Sequence, residues 1–228
     1  MISKHKPSGI YLINKPISWS SFDVVKKIRS FLRKKYNIKK IKVGHCGTLD
    51  PLASGLLIVF VGDKTKIISQ YQNLDKEYIG TIKLGSVTDS FDRETKEKNH
   101  KPYSNLSIGS IKEVIESFLG QQDQMPPIFS AVKINGERLY KHARNGNYNI
   151  HLEPRIIKIH KISILSIDLP FLQILIRCSK GTYIRSLAHD IGKKLGCGAY
   201  LFNLKRSKIG QHNLVDACTL EEFINNYS

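Results

Sequence analysis

Long apolar runs are missing from this chain. The longest, Gly55–Gly62, falls far short of the ~20 residues that a membrane-spanning helix needs. The N-terminus, Met1-Ile2-Ser3-Lys4-His5-Lys6, leads into neither an apolar signal core nor a small-residue cleavage site. Membrane insertion and secretion are therefore not expected, and a cytoplasmic location is. Cysteine is scarce as well: Cys46, Cys178, Cys197 and Cys218 lie far apart and form no CxxC pair. None of the eight histidines stands three to five residues from another. A zinc site needs such clustering, so reduced thiols and no metal are expected. There is no fixed-period repeat and no Pro- or Ser-rich linker, which points to a single domain over residues 1–228, long enough to bury a real core.

Acidic residues are the other shortage. Nineteen Asp and Glu face 36 Lys and Arg, leaving a formal charge of +17. The excess concentrates between Lys26 and Lys42, where nine basic residues occur without one acid. A field of that sign attracts polyanions, and nucleic acid is the usual soluble one. A genome of skewed base composition would also raise Lys, Ile and Asn throughout, and this chain is rich in all three. Charge alone names no activity.

Helical and strand-like patterns alternate along the chain, which defines an α/β or α+β class. Ser20 or Ser21 can cap a helix reaching about Lys35, with Phe22, Val25, Ile28, Phe31 and Leu32 on one face. Gly55–Val61 reads as a buried strand, followed by a short helix near 64–71. Residues 76–84 alternate as a half-buried strand, with Tyr78, Gly80, Ile82 and Leu84 on one side. Residues 85–105 read as a mobile polar loop, and 108–119 as a helix ending at Gly120. Further on, the pattern predicts a strand over 129–134, a tight Asn135-Gly136 turn and a helix over 137–144 before Asn145-Gly146. Strands follow near 156–167 and 171–178, then a helix over 182–195 and an extended stretch over 199–209. Thr219-Leu220-Glu221-Glu222 is a capping box for a last short helix.

Two segments hold the chemistry. In Val43-Gly44-His45-Cys46-Gly47-Thr48-Leu49-Asp50-Pro51-Leu52-Ala53-Ser54-Gly55, three glycines and a proline force a tight loop before a buried strand. Pro51 restricts Asp50 to extended geometry. A carboxylate near buried structure calls for a cationic partner, although Asp50 also suits a plain Asx-turn. In Cys178-Ser179-Lys180-Gly181-Thr182-Tyr183-Ile184-Arg185, a strand ends, Gly181 turns the chain, and Thr182 can cap a helix with Tyr183 and Arg185 in its first turn. Arg185 is a cation where the helix dipole disfavours one, so it either has an anionic partner, Asp50 being a candidate, or is simply solvated.

Together these segments resemble the signature stretches of the bacterial TruB family of tRNA pseudouridine synthases. Gly9-Ile10-Tyr11-Leu12-Ile13-Asn14-Lys15-Pro16 with Ser20-Ser21 resembles the family's opening motif, and Gly44–Pro51 its catalytic loop. Lys76-Glu77-Tyr78, Thr88-Asp89-Ser90-Phe91-Asp92, Tyr140-Lys141-His142-Ala143-Arg144, Cys178–Arg185 and Leu204-Lys205-Arg206 follow in the family's order. Seven blocks in fixed order, covering roughly Gly9 to Phe223, are far more specific than any lone motif.

The resemblance implies a pseudouridine synthase fold with a mixed, largely antiparallel sheet flanked by helices. It implies isomerisation of uridine 55 in the T-loop of tRNA to pseudouridine, by base flipping, with no cofactor. By carry-over Asp50 is catalytic. Tyr78 stacks on the target base, Arg185 pairs with the aspartate, Tyr183 and Leu204 line the uracil pocket, and His45 enters the T-loop as the uridine leaves. Lys15, Lys66, Lys141, Arg144 and Lys180 fall at phosphate contacts, and Asp92 near the site without a defined role.

Two departures stand out. Cys46 replaces a frequent threonine, and the C-terminal PUA domain with which many bacterial members bind RNA is expected to be absent. The Lys26–Lys42 run is expected to compensate in a monomer that grips the T-arm. Two rivals are an RNA-binding module without catalysis and a metal-dependent nuclease built on Asp50, Asp89 and Asp92. The second lacks the further converging carboxylates that a two-metal centre needs.

Overall fold

The computed structural model describes residues 7–226, apart from 131, 135, 145 and 147–150. In chain order the elements are β1 (Gly9–Lys15), α1 (Ser21–Lys35), β2 (Val43–Cys46), β3 (Ala53–Val61), a 3-10 helix (Gly62–Ile67), α2 (Ile68–Gln72), β4 (Lys76–Leu84), α3 (Ile108–Glu116) and β5 (Gly120–Gln124). Then come β6 (Lys133–Ile134), β7 (Glu137–Arg138), α4 (Leu139–Arg144), β8 (Arg155–Asp168), β9 (Phe171–Cys178), α5 (Ile184–Lys194), β10 (Ala199–Ile209), β11 (His212–Asn213), a 3-10 turn (Leu214–Asp216) and α6 (Leu220–Asn226). Helices flank strands that pair antiparallel in β1–β3, β2–β3, β5–β8, β6–β7, β8–β9 and β10–β11, while the isolated bridges Ile13–Cys218 and Asp92–Leu201 are parallel. Among the described residues no helix is long and apolar enough to cross a membrane.

Two compact units form. The first comprises residues 1–78 and 205–228, the second residues 79–204. In the first, β3 is the centre: β1 and β2 both pair with it. Its side chains alternate between two apolar clusters. Leu57, Val59 and Val61 join Val24, Val25, Ile28 and Leu32 of α1, while Leu56, Ile58 and Phe60 join Cys46 and Ile209. Each such aliphatic burial is worth roughly 1.5–3 kcal/mol. The Ser20 hydroxyl accepts from the Asp23 N–H at 3.1 Å and the Asp23 carboxylate accepts from the Ser20 N–H at 2.9 Å, closing a capping box. Phe22 departs from expectation: it is 60% exposed and Val24 takes the buried place. The spacing 21, 24, 25, 28, 32 follows the helical period, and Phe22 lies one position off that stripe.

The end of the chain completes this unit. Cys218 exchanges backbone hydrogen bonds with Leu12 and Asn14, at 3.1 and 2.8 Å. Thr219 and Glu222 make the expected capping box, and Phe223 sets its ring edge-on to Tyr11 at 5.0 Å.

In the second unit β4 continues to β9, β8 and β5 in that order. Alternate residues of β9, Leu172, Ile174 and Ile176, are buried, as are Ile157 and Ile159 of β8. Several boundaries depart from expectation. Extended pairing in the predicted 129–134 strand is confined to β6, and residues 137–138 pair back on it before α4 begins. Asn135 and Asn145 of the two predicted turns lie outside the described residues. Helix α5 starts at Ile184 with Tyr183 as N-cap; the Thr182 hydroxyl instead donates to the Ser179 carbonyl at 3.0 Å. Strand β5 was hidden in a polar Gln/Asp sequence whose side chains carry no apolar alternation.

Residues 85–105 are the largest correction. This segment, expected to be mobile, is stitched down: Val87 pairs with Lys98, Asp92 bridges to Leu201, and Ser86, Thr88, Ser90 and Asp92 are buried. Buried polar groups persist when every donor finds an acceptor, and here Glu97 collects three. Lys83 and the Tyr200 hydroxyl each donate at 2.7 Å, and the Ser86 hydroxyl at 3.1 Å. These bonds pull the Glu97 carboxyl from 4.5 down to about 2. Above pH 4.5 both folded and unfolded Glu97 are ionised and its full contribution is present. Below 4.5 the unfolded chain takes up the proton first, and the contribution is gone by about pH 2. Glu97→Gln is therefore expected to flatten the loss of stability across this window, measured by urea unfolding at a series of pH values.

Candidate active site

The Asp50 loop belongs to the first unit, and its neighbours there are cationic and buried. Strand β2 delivers the chain to His45 and Cys46; Gly47, at φ 73°, turns it in a conformation that suits a residue without Cβ. Beyond Asp50 the loop closes on itself, with the Ala53 N–H donating to the Asp50 carbonyl at 3.1 Å. Ser21, at the start of α1, clamps the approach: its hydroxyl accepts from the Leu49 N–H at 2.8 Å and donates to the Leu49 carbonyl at 3.1 Å. Asp50 itself is half-buried.

Arg206 pins the base of this loop. It is 1% exposed, and its Nε donates to the Leu56 carbonyl at 2.7 Å and its Nη2 to the Gly47 carbonyl at 3.0 Å. Gly55 makes room for it. With φ 105°, a Cβ at Gly55 would stand 2.4 Å from the Arg206 carbonyl oxygen. In the sequence Arg206 has only a place in a family block, because no spacing rule marks a lone arginine on a strand as a loop anchor.

Lys15 corrects an expectation. A surface phosphate contact was anticipated, but the residue is fully buried. Its ammonium donates to the carbonyls of Trp19 at 2.5 Å, Pro16 at 2.8 Å and Pro51 at 3.4 Å. All three donors point into the protein, so none reaches an external phosphate. Burial lowers its pKa from 10.5 to about 8, while the nearby Asp50 charge pulls the other way. Lys15 therefore brings positive charge to Asp50 and ties Pro51 to the end of β1. His45 is half-buried, and its pKa is held below 6.5, first by desolvation and then by the Arg206 charge, which keeps the ring neutral at physiological pH. Burial raises the Cys46 thiol, which suits packing rather than reactivity. Tyr78 is buried in β4, and Lys66 is exposed, paired with Asp63 at 3.3 Å.

The second unit holds Tyr183, Arg185 and Leu204. Arg185, in the first turn of α5, is 5% exposed. It donates to the Ser90 carbonyl at 3.0 Å and the Phe129 carbonyl at 2.9 Å, and its Nε lies 3.7 Å from the Asp92 carboxylate. Asp92, left without a role by the sequence, thus offers negative charge to this cation. It is itself fixed by the Ser90 hydroxyl at 2.6 Å and the Glu94 N–H at 2.9 Å. Gln124 was missed altogether. Its side-chain amide accepts from the Tyr183 N–H at 2.8 Å and donates to the Tyr183 carbonyl at 3.0 Å, which fixes the entry to α5. Tyr183 and Leu204 are half-buried. Lys141, Arg144 and Lys180 are exposed, with Arg144 bonded to Glu94 at 2.8 Å. Among the described residues no three His, Cys, Asp or Glu side chains could jointly hold a metal ion.

Residues 33–184 match the model of the TruB family pseudouridylate synthase N-terminal domain, and residues 185–228 that of the tRNA pseudouridylate synthase B C-terminal domain. The chain is 46% identical to tRNA pseudouridine synthase B of Parabacteroides distasonis over 218 residues, 96% of this chain and 92% of that protein. To the protein of the same name from Chlorobaculum tepidum it is 47% identical over 224 residues, 98% and 92% of the two chains. It also resembles a chain in the crystal structure of a Cbf5-Nop10-Gar1 complex, with a TM-score of 0.70 and 27% identity over 96% of this chain and 54% of the other. These matches define the class, the pseudouridine synthases. Within it, this chain belongs to the TruB family of isomerases.

The Arg206 side chain and the close approach of Gly55 to the Arg206 backbone can each be tested by their energetics. Arg206→Gln leaves two buried carbonyls short of a donor and is expected to cost about 2–4 kcal/mol. Gly55→Ala adds a backbone clash at positive φ and is expected to cost about 1–3 kcal/mol or more. Because the Gly55 clash is with the Arg206 backbone, which Arg206→Gln leaves in place, the double variant should lose about the sum of the two in chemical denaturation. A double variant no less stable than Gly55→Ala alone would count against this reading.

Proposed function

We propose that this chain isomerises uridine to pseudouridine at position 55 in the T-loop of tRNA, acting on a base flipped out of the loop with Asp50 as the essential carboxylate. The observation that supports this most is the Asp50 loop itself. It is a carboxylate on a short Pro-stiffened loop, with the Lys15 ammonium buried beside it and Arg206 beneath, in a chain of the TruB family.

The reaction breaks the N1–C1′ bond, turns the uracil, and joins C5 to C1′. The C5 proton leaves and N1 ends with one, so the product is an isomer and no oxidant or reductant is consumed. A carboxylate serves either as nucleophile or as a counter-charge to positive charge developing at C1′. Arg185 acts as the cationic partner of Asp50. Tyr78 stacks on the target base, and Tyr183 and Leu204 line the uracil pocket. His45, neutral and aromatic, takes the place the uridine leaves. Flipping costs a few kcal/mol and stacking returns roughly 1–3 kcal/mol per base, so such an exchange is nearly balanced. Lys66, Lys141, Arg144 and Lys180, all exposed, supply phosphate contacts; Lys15 does not.

The test is tritium release from a tRNA transcript labelled at uridine C5, with EDTA present. Wild type should release tritium stoichiometrically. Asp50→Asn should release none, at least about 10³-fold slower, while binding tRNA with near-wild-type affinity. A transcript with cytidine at position 55 should be inert. Binding without release by the wild type would instead favour an RNA-binding module.

A further inference from the structure

A groove of about 780 Å3 opens on the first unit, walled by the C-terminal half of α1, the segment leading into β2, and the 3-10 helix after β3. Its lining contributes six cations: Arg29, Arg33, Lys39, Lys40, Lys42 and Lys66. Asp63 is the one acid among the lining residues, and it is spent on Lys66. Arg29 is committed to the wall, since its guanidinium donates to the Val43 carbonyl at 2.9 Å. Arg33, Lys39, Lys40 and Lys42 are exposed along the groove.

Helix electrostatics explain only part of this. Arg33 sits in the last turn of α1 with Lys34 and Lys35, where cations meet the negative end of the helix dipole. Lys39, Lys40 and Lys42 lie beyond the helix and gain nothing from it, yet they face the same groove. Gathering like charges costs energy unless a polyanion or salt offsets it. The space is also far larger than one phosphate needs, so the fit is to a run of phosphates. Position adds a further constraint. Val43 and Gly44 line the groove, and the same strand, paired with β3, continues directly into His45 and the Asp50 loop.

We propose that this groove binds the phosphate backbone of the tRNA whose T-loop is being modified, extending the RNA track from Lys66 across Arg33, Lys39, Lys40 and Lys42. It presupposes the tRNA substrate proposed above. It also departs from the expectation that Lys34 and Lys35 share in the grip, since neither lines the groove.

The experiment is fluorescence anisotropy of labelled tRNA transcript at salt concentrations from about 50 to 200 mM. The groove variant is Arg33→Gln/Lys39→Gln/Lys40→Gln/Lys42→Gln. A control of equal charge change, Lys112→Gln/Lys158→Gln/Lys161→Gln/Lys193→Gln, lies wholly in the second unit. Each lost phosphate contact should flatten the slope of log K against log salt by about 0.7–0.9. The groove variant is therefore expected to lose about 3 units of slope and at least about tenfold in affinity at 0.1 M salt, and the control little of either. Lys39→Arg/Lys40→Arg/Lys42→Arg, which keeps the charge, should retain the slope. Equal losses in groove and control variants would overturn the site in favour of a diffuse field. Unchanged tRNA affinity in the groove variant, together with loss of binding to labelled polyglutamate, would overturn it in favour of an acidic protein partner. Because anisotropy needs no turnover, a wild type that binds through the groove without releasing tritium would overturn the catalytic proposal alone.

Discussion

One buried guanidinium supports the Asp50 loop of the first unit. Arg206 reaches from β10 to the carbonyls of Gly47 and Leu56, on either side of the Asp50 loop, and so fixes both the entry and the exit of that loop. An arginine can do this because its planar fork presents donors in two directions at once, and because it stays charged when buried. Gly55 is the complement: the backbone of β3 approaches Arg206 too closely for any side chain. The loop's irregular course is thus bought with a cation that is otherwise costly to bury.

Lys15 holds the same loop at Pro51. Three backbone carbonyls hold its ammonium, one of them from Pro51, the residue after Asp50. Two buried cations thus hold this one loop, Lys15 through Pro51 and Arg206 through Gly47 and Leu56. In the second unit Arg185 is handled similarly, with carbonyls of Ser90 and Phe129 and the Asp92 carboxylate arranged around it. Preorganised charge of this sort costs no rearrangement when charge develops during a reaction.

Much of this was legible in the sequence. The buried run 55–61, the alternation of 76–84 and the caps at Ser20 and Thr219 are local signals, each spelled out within a few residues. The candidate residues were legible because glycines and a proline around Asp50, and Gly181 before Tyr183, mark backbone that must turn. What stayed hidden depended on partners distant in sequence. Nothing near Lys15 says that it is buried, because its acceptors are carbonyls, which every residue has. Gln124 looks like one more polar residue in a polar strand until Tyr183 is placed against it. The 85–105 segment reads as a loop because its order comes from Lys83, Tyr200 and Leu201, outside it.

The chain's last segment has a consequence for synthesis. Residues 205–228 supply Arg206, the pairing of Cys218 with β1 and the Phe223 ring on Tyr11, all within the unit that carries Asp50. On the ribosome, residues 79–204 emerge as a contiguous stretch able to begin folding while the first unit still lacks its closing strand. The loop bearing Asp50, although made early, acquires its anchor only after residues 205–228 leave the exit tunnel. A nascent chain therefore carries the Asp50 loop without its anchor until Arg206 and the residues that pair with β1 have emerged.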